Sequence, residues 1–91
     1  MTYKLIRIDK IILNEKGLHA RASAKFVALV DKFDADCSIS ANGQTVAGDS
    51  IMGILMLAAT QGSTIRLKIW GRDRVSLKKA LIDLIDNRFG E

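Results

Sequence analysis

The sequence predicts an α+β protein of two layers, with helices stacked on one face of a sheet, in the order β-α-β-β-α-β-α. Three observations predict it. Ile65, Leu67 and Ile69 alternate with Thr64, Arg66, Lys68 and Trp70, which is the period of a strand with one buried face. Asn42-Gly43 separates two short strand-like runs, and both residues tolerate the positive φ that a type I′ hairpin turn demands. Phe26, Leu29, Val30 and Phe33 recur at three- and four-residue spacing, one apolar stripe along a helix. Strands apolar on one side need their helices on that side, hence two layers.

Each element follows in chain order. Between Lys4 and Leu13, aliphatic Leu5, Ile6, Ile8, Ile11, Ile12 and Leu13 are interspersed with charges, as in a strand covered mainly on one side, and Asn14-Glu15-Lys16-Gly17 turns the chain. The first helix is expected from about Ala20 to Phe33. Asp34-Ala35-Asp36 leads into a strand in which Cys37, Ile39 and Ala41 alternate with Ser38 and Ser40, and Gln44 to Ala47 returns from the hairpin. Gly48-Asp49 makes a break, after which Ser50 is placed to cap a short helix with Ile51, Ile54, Leu55 and Ala58 on one face, ended by Gln61-Gly62. Beyond Gly71, a helix starting near Arg74 puts Leu77, Leu81, Leu84 and Ile85 inward and Lys78, Lys79, Asp83 and Asp86 outward, with Gly90 as its stop.

Composition narrows the class. Ninety-one residues, 48% of them apolar, suffice for one core, so residues 1–91 are expected to form a single domain, a monomer. Proline is absent, and no internal repeat, low-complexity tract or linker-like shift divides the chain. The lone Cys37 has no partner for an intramolecular disulfide, and no His/Cys cluster has metal-ligand spacing, so a reducing setting without metal or cofactor is expected. No apolar run approaches spanning length, which excludes membrane insertion and implies a cytoplasmic protein. A net charge of +4 and a pI near 9.5 favour acidic partners or phosphate without choosing between them.

The stretch Gly17-Leu18-His19-Ala20-Arg21-Ala22-Ser23 joins the first strand to the first helix and holds the only histidine. The first N–H groups of a helix lack intrahelical partners, and the aligned peptide dipoles place roughly half a positive charge there. An anion held on His19 would therefore meet waiting donors. The first turn nevertheless carries Arg21 and Lys25 and no acid, the reverse of what the dipole favours, and a broken local rule points to function. Taken alone, a histidine beside a helix start is an ordinary capping residue, Arg21 and Lys25 are solvated cations, and Ser23 is a helix-surface serine. Taken together, a nucleophilic imidazole, anion donors and a guanidinium suggest a phosphoryl acceptor.

These residues resemble the phosphorylation-site motif of the HPr family, the histidine phosphocarriers of bacterial phosphotransferase systems, including the nitrogen-related branch. Ser50-Ile51-Met52-Gly53-Ile54 resembles the segment around that family's regulatory serine, and the likeness runs over most of the chain. Ala22 departs from the proline of many members; alanine is a good helix former, so looser preorganisation and unchanged chemistry are expected. The resemblance implies an open-faced sandwich, a four-stranded antiparallel sheet with three helices on one face. It implies that His19 accepts a phosphoryl group on Nδ1 from an enzyme I-like histidine and passes it to an enzyme IIA-like acceptor, as a stoichiometric carrier and not an enzyme. Arg21 would neutralise the group, with Gly17, Ala20 and Ser23 around the phosphate; Gly17 would also let a partner's active site come close. Ser50 would be both N-cap and the target of a serine kinase/phosphorylase.

Because Ile51 to Ala59 are apolar or glycine all round, a short helix leaves part of them uncovered, and Leu18, Met52 and Met56 are expected to form an adaptable partner-binding patch. Two other classes compete. A regulatory protein-binding module of this fold would keep its effect without a phosphorylatable His19. A small basic RNA-binding domain suits the charge, but only Trp70 among the strand residues offers an outward aromatic for stacking, so no nucleic-acid partner is expected.

Overall fold

Residues 4–91 are described by a computed structural model; the first three residues of the predicted domain lie outside them. The period-two segments become β1 (Ile6–Ile11), β2 (Asp36–Ala41), β3 (Gln44–Ala47) and β4 (Thr64–Trp70), joined antiparallel in the order β1-β4-β2-β3. The helices are α1 (Ala20–Val30), α2 (Ile51–Met56) and α3 (Arg74–Asp86), followed by a 3₁₀ turn, Arg88–Gly90. They cover one face of the sheet, as the sequence predicts. No helix among the described residues is long and apolar enough to cross a membrane.

β4 lies at the centre, with Leu67 opposite Ile8 on one side and Ile39 on the other. Its inward residues Ile65, Leu67 and Ile69 are fully buried, and they meet Phe26, Ile54, Leu77, Leu81 and Ile85 in one core. The outer face carries the polar alternates; there Arg66 donates to the Asp9 carboxylate through Nε at 2.9 Å and Nη2 at 3.3 Å. That guanidinium holds the Asp9 carboxyl below the usual carboxylate range, although an exposed pair adds little stability. At the hairpin, Asn42 and Gly43 take φ of 52° and 77°, the positive values expected of them, and pair Ala41 with Gln44.

Three helix ends differ from the sequence reading, each because a long-range contact intervenes. α1 stops at Val30 and not at Phe33: the Lys32 and Phe33 N–H groups reach back only three residues, to the Leu29 and Val30 carbonyls. The exit is fixed by a reciprocal pair in which Asp34 N–H donates to Asp73 Oδ2 and Asp73 N–H to the Asp34 carbonyl, both at 2.9 Å. α2 ends at Met56, short of Gln61-Gly62. Its inward residues are Ile54 and then Leu57 and Ala59, whereas Ile51 and Ala58 are exposed; Ala58 adopts φ 52°, and the Leu57 carbonyl accepts from Asn42 Nδ2 at 2.8 Å. α3 ends at Asp86, before Gly90, because Arg88 and Phe89 reverse the chain with φ of 55° and 54° and Phe89 enters the core.

Cys37 lies in that core on β2, where burial pushes its thiol up to about 12. In native protein at about pH 8 it is expected to resist alkylation, and to react at the rate of a free thiol once the chain is unfolded. Rapid labelling of the folded protein would contradict this burial.

Candidate functional site

His19 is the N-cap of α1, with φ −73° and ψ −178°. Its ring Nδ1 accepts the Ala22 N–H at 3.0 Å, and its carbonyl accepts the Ser23 N–H at 2.9 Å. His19 is thus the capping histidine of the ordinary reading, and the cap bond aims the Nδ1 lone pair along the amides of the first turn. Of those amides, Ala20 and Arg21 N–H bond to no other described residue, so two donors lie next to the nitrogen. An N–H bonded to a nitrogen lone pair also specifies the ring's proton: Nδ1 is bare and Nε2 carries the hydrogen.

The chain before His19 is held from both sides. Asn14, wholly buried, donates from Nδ2 to the Gly17 carbonyl at 2.7 Å and accepts on its carbonyl the Gly17 N–H at 3.2 Å, closing the turn. Leu18 N–H donates to the Ala59 carbonyl at 3.0 Å. Glu91 then closes over this turn: its Oε1 accepts the Lys16 N–H at 3.1 Å and its Oε2 accepts Asn14 Nδ2 at 2.9 Å while lying 3.6 Å from His19 Nε2. The hydrogen bond from Asn14, with lesser help from Lys16 and His19, holds the Glu91 carboxyl below the usual carboxylate range.

Three sequence expectations need correction. Gly17 is buried and its φ is +64°; a Cβ there would run into the Ala59 carbonyl, so the close approach it permits is to this chain and not to a partner. Ser23 is buried, its hydroxyl donating to the Leu18 carbonyl at 3.3 Å and its N–H already inside the helix, so neither donor is presented outward. Leu18 is 4% exposed and belongs to the core, unlike Met52 at 68% and Met56 at 69%. The bond to Ala59 turns Leu18 inward, which leaves Met52, Met56 and Ile51 as the exposed apolar patch.

The other named residues lie as follows. Arg21 and Ala20 are exposed in the first turn of α1, and no carboxylate pairs with Arg21 among the described residues. Ser50 caps α2, its Oγ accepting the Gly53 N–H at 3.0 Å, as its position in the sequence suggests. Lys25 does more than face solvent: its Nζ donates to the Phe89 carbonyl at 2.7 Å and anchors the turn that brings Glu91 to His19. Asn14 and Glu91 were not singled out by sequence. The first had a local signal, an Asn opening a turn; the second had none, since its partners lie more than seventy positions away. No group of His, Cys, Asp and Glu among the described residues could hold a metal ion.

A small two-layer protein that presents a lone histidine at a helix N-terminus, ringed by free amides and an unpaired arginine, has the form of a phosphohistidine carrier. Comparison with known proteins specifies the family. The family described as "PTS HPr component phosphorylation site" matches residues 6–87. The chain is 47% identical to phosphocarrier protein HPr of Cupriavidus necator and 42% identical to that of Xylella fastidiosa, in each case over 96% of this chain and 98% of the relative. Its fold superposes on the crystal structure of HPr-C-His from Thermoanaerobacter tengcongensis with a TM-score of 0.89 at 38% identity, covering 94% of this chain and 97% of that one. The chain belongs to the HPr family of phosphocarrier proteins of the phosphotransferase system.

Proposed function

We propose that Nδ1 of His19 accepts a phosphoryl group from a phosphorylated histidine of an enzyme I-type protein and hands it to a histidine of a IIA-type acceptor, the chain acting as a single-domain, monomeric cytoplasmic carrier and not as an enzyme. The observation that carries this reading is the Nδ1 lone pair bonded to Ala22 N–H beside the free N–H groups of Ala20 and Arg21. A phosphoryl group on Nδ1 displaces that one bond and offers its oxygens to the same amides. Transfer between two imidazoles changes little in bond energy, so positioning and charge neutralisation are what the protein must supply. The helix start and the Arg21 guanidinium supply the second. The exposed Met52 and Met56 suit a docking surface that fits two partners in turn, and the net charge of +4 steers acidic ones toward the protein.

Ser50 admits control by a serine kinase. A phosphate there adds a charge of about −2 at the favourable end of α2, so the helix survives while the charge stands beside the Met52 patch and weakens docking.

The test is incubation with phosphoenolpyruvate and an enzyme I, followed by intact mass. The expected result is a gain of one phosphoryl group that mild acid removes; no gain, or an acid-stable one, would defeat the reading. Arg21→Ala is expected to slow transfer on the order of tenfold, less than the 10²–10³ lost with an enclosed oxyanion donor, because Arg21 is exposed. An unchanged transfer rate would remove Arg21 from the mechanism.

A further inference from the structure

The two ring nitrogens of His19 face different parts of the chain. Nδ1 faces the start of α1, and Nε2 faces Glu91, carried there by a segment that has no sequence-local relation to the motif. That segment is firmly placed. Arg88, Phe89 and Gly90 all take positive φ, which reverses the chain after α3; Phe89 is buried in the core and its carbonyl accepts Lys25 Nζ from α1. Asn14 Nδ2 and Lys16 N–H then each bond one oxygen of the Glu91 carboxylate, so its position and its charge are both set before anything binds.

Resting on the carrier reading above, we infer that Glu91 is a positioning residue for the phosphoryl acceptor: its carboxylate holds the Nε2–H side of the His19 ring and so keeps Nδ1 bare and aimed at the incoming phosphorus. The opposite tautomer would set a ring N–H against the Ala22 N–H and a lone pair against the carboxylate, two repulsive pairs in place of two attractive ones. The 3.6 Å separation is slightly long for a hydrogen bond, so the carboxylate acts on the Nε2–H side of the ring as a close electrostatic acceptor. In the transfer, the Nδ1 lone pair forms the N–P bond, the bond from phosphorus to the donor's nitrogen breaks, and its electron pair returns to the donor ring. The proton on Nε2 stays in place, and the positive charge gained by the ring faces the carboxylate.

The experiment uses the whole chain with isotopically labelled imidazole nitrogens, observed by NMR near pH 9, where a reference imidazole is neutral. Wild type is expected to show only the Nε2–H tautomer. Glu91→Ala is expected to show at least a tenth of the other tautomer, with the kcat of enzyme I acting on the carrier reduced roughly threefold to tenfold and its KM for the carrier within about twofold, the signature of a misdirected nucleophile and not of lost docking. Glu91→Gln, whose side-chain oxygen can still face Nε2–H, is expected to restore the tautomer and most of kcat. Wild-type tautomer or wild-type kcat in Glu91→Ala overturns the inference, as does a Glu91→Gln variant that rescues neither. If wild type itself takes no phosphoryl group, the carrier reading fails, and the tautomer comparison still decides separately whether Glu91 orients the ring.

Discussion

Replacing His19 with alanine is expected to abolish acid-labile phosphorylation by a phosphorylated enzyme I while leaving the fold in place. The chain has no other imidazole, so nothing can take over the chemistry. The structural cost is that of one N-cap, about 1 kcal/mol, because Ala22 N–H loses its acceptor at 3.0 Å while the core around Phe26 and Leu67 is untouched. His19→Asn separates the two roles. Its side-chain oxygen is a good cap, so stability is expected to return to within about 0.5 kcal/mol of wild type, while labelling stays absent. Acid-labile phosphate on either variant would remove His19 from its role.

The second large effect falls on stability and reaches the site from behind. Gly17→Ala places a methyl group against the Ala59 carbonyl and 3.0 Å from Thr60 Cα, at a φ of +64° that alanine adopts only with strain. Neither neighbour is a flexible side-chain end; both are backbone. Strain and clash together are expected to cost about 2–4 kcal/mol, read as a lowered denaturant midpoint at unchanged m value. Relief of the clash must lengthen the Leu18 N–H to Ala59 bond, which moves His19 away from the α1 amides, so the rate of phosphorylation is expected to fall as well. A variant within about 0.5 kcal/mol of wild type would show that the turn is not packed as described.

Both effects concern one short stretch, and that stretch was legible because its rules are local. A histidine one residue before an apolar helical stripe, a cation, Arg21, where the dipole wants none, and an Asn-Gly hairpin can all be read over a few positions. So could β4, whose alternation is strict, and Ser50, whose hydroxyl does cap α2. Phe33 misled because apolar spacing continues past the point where Asp73 takes the chain out of α1. Ile51 and Ala58 misled because a helix of six residues does not fix its own phase; the inward Leu57, tied through its carbonyl to Asn42, fixes it. Leu18 reads as a surface leucine only until the Ala59 carbonyl is known to turn it inward. Asn14 and Glu91 depend on a contact across nearly the whole chain, and no periodicity or spacing encodes such a contact.

The most direct measurement is the site of the phosphorus atom in the intact carrier. With isotopically labelled imidazole, the phosphorylated protein is expected to show phosphorus coupled to Nδ1 of His19, with new downfield shifts of the Ala20, Arg21 and Ala22 amides as phosphoryl oxygens replace the cap bond. Phosphorus on Nε2, or on any residue other than His19, would contradict the placement of the reactive nitrogen at the start of α1.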